Sequence, residues 1–154
     1  MNRAKLSREY LASALSYSEF SQICTELSQL DPARLFNELF SISINNTGDA
    51  ASSVASAVLV ELEPKYYLSC CDMLVAISES TLDASNREIP FYMLCQFGRW
   101  AILEEIEALV NGGSLSKTQI KRISIISYWL NVSSATLVEP IISRWNWELE
   151  NEEA

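Results

Sequence analysis

Three glutamates, Glu104, Glu105 and Glu107, lie close together in the apolar run 90–110 and form a set of side chains able to bind a metal or move a proton. A di-metal carboxylate bundle also needs Glu-x-x-His motifs on facing helices, and the chain contains no His. Neighbouring residues of a helix point about 100° apart, so Glu104 and Glu105 do not work as a pair. The missing His removes the commonest general base, the commonest zinc ligand and the usual pH switch. The glutamates therefore read as a charged helix end open to a partner. Glu105 differs from the other two: it falls on the apolar side of the helix, where an unpaired carboxylate is costly. It is expected to pair with Arg99, Arg122 or Arg144, or to look out of an apolar groove.

The four cysteines, Cys24, Cys70, Cys71 and Cys95, form no C-x-x-C pair. Cys70 and Cys71 are adjacent, which permits only a strained disulfide, and Lys65 is the one cation near in sequence that lowers a thiol pKa. Free, buried thiols in a reducing compartment are expected. Ser114 and Lys117 match S-x-x-K formally, but at a helix start, where Ser is a cap. Gly112 and Gly113 lack the pattern of a phosphate loop. The sequence thus offers no catalytic residue, no cofactor site and no metal ligands, and the expectation is a protein that is not an enzyme. The stronger lead is a patch on one helix: Ile125 and Trp129 face outward one turn apart, beside Lys121 and Arg122. An exposed Trp with an aliphatic neighbour and cations is a protein-binding arrangement.

These groups need helices to position them. Residues 90–110 read as one long helix, with Pro90 in its first turn and Asn111, Gly112 and Gly113 as its stop. Phe91, Leu94, Cys95, Phe97, Gly98, Ala101, Ile102, Ile106 and Leu109 share a wide apolar face. Trp100 and Leu103 fall on the polar side, and Trp100 is expected to bridge to a second layer. Upstream, the pattern from Ser16 to Glu19 predicts a capping box. Asp31 and Pro32 predict a helix start, and Glu63 and Pro64 predict another. Thr47 or Asp49 is the expected cap of an Ala- and Ser-rich helix, with its serines in solvent. Residues 80–89 read as a polar loop. Ser114 or Ser116 caps a helix from about 116 to 131, and Ser133 or Ser134 opens a last one.

No segment alternates with a period of two, so the fold class is all-α: a single domain over 1–154 of six to eight helices, with a fraying acidic tail at 148–154. The two Pro restarts are 32 residues apart. That spacing leaves two architectures open, an irregular helical bundle and HEAT- or TPR-like stacked hairpins.

The chain has 154 residues, with 20 Asp and Glu against 11 Lys and Arg, a net charge of −9. That balance argues against a nucleic-acid partner, because phosphate contacts need clustered cations. It suits a basic protein partner, which the acidic field would steer. There is no secretory h-region and no run near the roughly 20 apolar residues of a membrane span. A cytoplasmic protein with no membrane partner is expected. In size, charge and helical class the whole chain resembles small acidic bacterial immunity proteins, which neutralise a toxin. The resemblance implies an inhibitor or immunity function, and carries no residue roles with it. Glu104, Glu105, Glu107, Lys121, Ile125 and Trp129 are the partner-binding candidates. The alternatives are a scaffold or adaptor that self-associates, as a homodimer for example, and a small-molecule binder with an apolar pocket.

Overall fold

The computed structural model describes residues 6–48, 50–64 and 68–132. They form eight helices: α1 (Arg8–Ala12), α2 (Tyr17–Leu27), α3 (Pro32–Ile44), α4 (Ala51–Leu62), α5 (Cys70–Ser78), α6 (Glu88–Phe97), α7 (Arg99–Asn111) and α8 (Lys117–Leu130). The all-α class holds, and the nearest approach to a sheet among the described residues is one isolated bridge between Asn45 and Thr81. The last expected helix and the acidic tail lie outside the described residues.

Helix starts follow local chemistry. Ser16 accepts from the Glu19 N–H, while the Glu19 carboxylate accepts from the Leu15 N–H. Asp31 accepts from the Arg34 N–H, with Pro32 in the first helical position. Ser116 and Gln119 form a full capping box at the head of α8. Each such cap stabilises its helix by about 1 kcal/mol. The expected cap Thr47 is engaged elsewhere, accepting from the Arg8 guanidinium at 2.7 Å, and Ala50 occupies the cap position of α4. Asp49 lies outside the described residues.

The central helix is α4. Ala51, Ser52 and all of 54–59 are buried, and the helix packs against α1, α2, α3 and α6. Small side chains let four neighbours approach closely. The expectation of solvated serines is therefore corrected: Ser52 and Ser56 are buried. The Ser56 hydroxyl donates to the Ser52 carbonyl at 2.8 Å, which keeps it satisfied inside the core.

A helix boundary also differs from expectation. Residues 90–110 are not one helix, because Gly98 sits at φ 83, ψ 154, a conformation almost confined to glycine. The break separates α6 from α7 and gives them different buried faces. In α6 the buried residues include Ile89, Pro90, Tyr92 and Met93, while Cys95 is exposed. Tyr92 stacks on Phe36 at 6.0 Å and donates to the Pro64 carbonyl at 2.7 Å. The second Pro restart falls partly outside the described residues. Glu63 takes the left-handed conformation (φ 42) to end α4. Residues 65–67 lie outside the described residues, and the next described helix begins at Cys70, whose cap is Ser69. With α4 against α6 and α5 against α8, helices distant in the chain pack together, as in an irregular bundle.

Candidate functional site

The partner-binding candidates divide between two consecutive helices, α7 and α8, which pack on each other. In α7 only Ile102 and Ile106 are buried. The opposite arc carries Trp100, Glu104, Glu107 and Asn111, spaced so that they lie within about 60° of one another, and all four are exposed. Among the described residues Trp100 bridges to no second layer; it is 75% exposed. The expectation for it is overturned because the Gly98 break turns α7 away from the face that α6 buries. Glu104 and Glu107 flank it on the surface.

Glu105 stands apart from that arc, beside Cys70 and Cys71 at the start of α5. It is half-buried and accepts a hydrogen bond from the Cys71 thiol. Among the described residues its partner is this thiol and not Arg99 or Arg122; Arg144 lies outside them. Burial and the Glu105 charge push the Cys70 thiol up to about 11, and raise Cys71 as well. The same geometry makes these thiols poor nucleophiles.

On α8 the expected outward patch is rearranged. Trp129 is not exposed: it is 9% accessible. Its Nε1–H donates to the Ala84 carbonyl at 2.9 Å. The Arg87 guanidinium lies 4.6 Å from the centre of its ring, and Tyr128 meets it edge-on at 5.0 Å. The cover is the 80–87 segment, which the sequence pattern marks as a solvated loop. Leu82 and Asn86 of that segment are buried. Asn86 donates to the Ser56 hydroxyl at 2.9 Å and accepts from the Ile89 N–H at 3.0 Å. Arg122 donates to the Leu82 carbonyl at 2.7 Å. Side chains of α8 meet the loop's backbone carbonyls, and Ser56 of α4 meets the Asn86 side chain, so the loop can lie against the core.

Lys121 and Ile125 line a groove of about 610 Å³ between this loop and α8. Thr118 and Arg122 share its α8 wall, and Asn46, Thr81 and Asp83 belong to the opposite one. A smaller hollow of about 270 Å³ opens between α2 and the end of α4, beside Cys24 and Glu61. Burial and the Glu61 charge push Cys24 up to about 12, against activation of that thiol. No group of three His, Cys, Asp or Glu able to hold a metal ion occurs among the described residues, and no helix there is long and apolar enough to cross a membrane.

The thiols carry a pH dependence with a defined sign. Folding raises Cys24 to about 12 and Cys70 to about 11 from an ordinary 9.0. The unfolded chain therefore releases these protons first as pH rises. Their contribution to stability is whole below pH 9.0 and is lost on climbing from there through about 11 to about 12. Urea midpoints are expected to fall between pH 8.5 and pH 10.5 and to fall less in the Cys24→Ala, Cys70→Ala double variant; equal falls would contradict the assignment.

Glu104, Glu107, Lys121 and Ile125 thus lie on accessible or groove-lining surface, Glu105 turns to a thiol, and Trp129 is structural. Sequence reasoning misplaced both tryptophans: Trp129, expected outward, is buried, and Trp100, expected to bridge to a second layer, is exposed on the polar arc of Glu104 and Glu107. Comparison with known proteins adds no family: no family model, no curated protein and no solved structure matches the chain.

Proposed function

We propose that the protein is a non-enzymatic, acidic protein-binding module that docks a basic partner on the outer arc of α7. The observation that carries this reading is Trp100, 75% exposed on the same arc as Glu104 and Glu107. A large aromatic left in water costs hydrophobic free energy that a partner recovers by covering it, and Trp is the residue most enriched at binding hot spots. The glutamates around it select a cationic surface, and the net charge of −9 steers such a surface in. The inhibitor or immunity role, with a toxin as the basic partner, is the form of this module that the size, charge and helical class suggest.

The experiment is affinity capture from the native cell with the tagged chain and with the Glu104→Lys, Glu107→Lys double variant. A stoichiometric basic protein is expected with the wild type, released by rising salt and not retained by the double variant. For the immunity form, that protein is toxic when expressed alone and harmless when this chain is co-expressed. Capture unaffected by the double variant would remove α7 as the docking surface.

A second reading, self-association as a scaffold, is favoured by one observation. The outer arc of α8 has the opposite charge, with Lys117 and Lys121 beside Tyr128, itself 61% exposed. One copy's α7 arc suits another copy's α8 arc. Sedimentation separates the readings, since a monomer at every concentration excludes the scaffold.

A further inference from the structure

The groove between α8 and the 80–84 segment has a charge pattern unlike the rest of this acidic molecule. Thr118, Lys121, Arg122 and Ile125 recur at i, i+3, i+4 and i+7, so one side of α8 presents all four to the same wall. The facing wall contributes a single carboxylate, Asp83, which already accepts from the Ser85 hydroxyl. Neither Lys121 nor Arg122 makes an ion pair with a described residue, although the chain holds 20 carboxylates against 11 cations. Arg34, by contrast, pairs with Glu38 at 3.2 Å.

Arg122 is the more telling of the two. Its guanidinium is half-buried, and one of its N–H groups is fixed on the Leu82 carbonyl at 2.7 Å. That bond fixes the plane of the fork and leaves other donors of the five free. A partly desolvated guanidinium with no ion pair to a described carboxylate keeps a demand for an anion. Lys121 adds a second charge one residue away. Ile125 and Ala84 supply an apolar surface beside the charges, and Asn46, Thr81 and Thr118 supply polar groups. The volume, about 610 Å³, is that of a site for a small molecule.

We propose that this groove binds a small organic dianion, its charged end held by Lys121 and Arg122 and its carbon body lying on Ile125 and Ala84. A phosphate monoester and a dicarboxylate share this chemistry, and the experiment separates them. The site is independent of the α7 arc and stands or falls without it.

The test is an amide NMR titration of the full chain, at constant ionic strength, with glycerol 3-phosphate, with succinate and with inorganic phosphate, against a sodium chloride control. Saturable shifts are expected at Thr118, Lys121, Arg122 and Ile125 and at the 81–84 amides. The organic probe that saturates at the lower concentration identifies the source, monoester or dicarboxylate; inorganic phosphate saturating at an equal or lower concentration would overturn the organic ligand. Lys121 is exposed, so Lys121→Ala keeps the fold while weakening binding by about tenfold, the loss of one close charge. Shifts that grow linearly like those of chloride, that saturate elsewhere on the molecule, or that persist unchanged in Lys121→Ala would overturn the proposal.

Discussion

Trp129→Ala is expected to destabilise the protein by about 3–5 kcal/mol, the range for removing a buried Trp side chain from a core. In a domain of this size that lowers Tm by roughly 6–20 °C. Three contributions add: the cavity left by the indole, the lost bond from Nε1 to the Ala84 carbonyl, and the lost stacking of Arg87. The loss is not confined to α8. The indole seats the 84–87 segment, so its removal also frees the loop that closes the dianion groove. Trp129→Phe keeps much of the apolar area and is expected to lose less, since the missing N–H bond is worth about 1 kcal/mol. Urea unfolding of both variants checks the order. A Trp129→Ala loss under 1 kcal/mol would contradict a seating role for this side chain.

Asn86→Leu is expected to cost about 2–4 kcal/mol. The side chain is buried, donates to the Ser56 hydroxyl and caps the first turn of α6 through the Ile89 N–H. Leucine fills a similar volume but meets neither group. An orphaned buried donor costs about 1–3 kcal/mol, more than the net worth of the bond itself. The Ile89 N–H is the larger part, because Ile89 is fully buried and water cannot replace the cap. Asn86→Asp separates the two terms: a carboxylate still accepts from Ile89 but cannot donate to Ser56. It is expected to retain α6 and to lose the anchor on α4. Hydrogen exchange at Ile89 reads this directly; equal protection in the wild type and in Asn86→Leu would sink the capping role.

Both residues show where sequence reasoning reached and where it stopped. Asp31 with Pro32 and Ser16 with Glu19 were legible, and Ser116 was one of two candidate caps, because a cap depends on three or four consecutive residues. The buried stripes of α2 and α3 were legible for the same reason, since periodicity is local. Asn86 and Trp129 were not, because what buries them arrives from far along the chain: Ser56 is 30 residues from Asn86, and Ala84 is 45 from Trp129. Trp100 and Trp129 look alike in sequence, each an aromatic beside charged neighbours. Only the 80–87 segment distinguishes them, and its polar composition hides that it lies on the core. Gly98 was hidden differently. Its position between Phe97 and Arg99 interrupts no periodicity on a helical wheel, and a lone Gly is tolerated within helices. The backbone at φ 83 breaks the helix there, and with it the wide apolar face read across 90–110. Of the candidate site, Glu104 and Glu107 were found from charge and helical phase. Their aromatic companion Trp100 was assigned inward, because a Trp on a charged arc is ordinarily covered by a neighbouring element.

The contrast between the two tryptophans is also the sharpest measure of the proposed function. Trp100 projects into solvent, so Trp100→Ala is expected to leave the urea midpoint unchanged while Trp129→Ala lowers it. The decisive quantity is the dissociation constant of the co-purifying basic protein, measured by calorimetry for the wild type and for Trp100→Ala. A hot-spot tryptophan predicts binding weaker by at least about 30-fold in a variant of undiminished stability. Equal dissociation constants for the two proteins would contradict docking on the α7 arc.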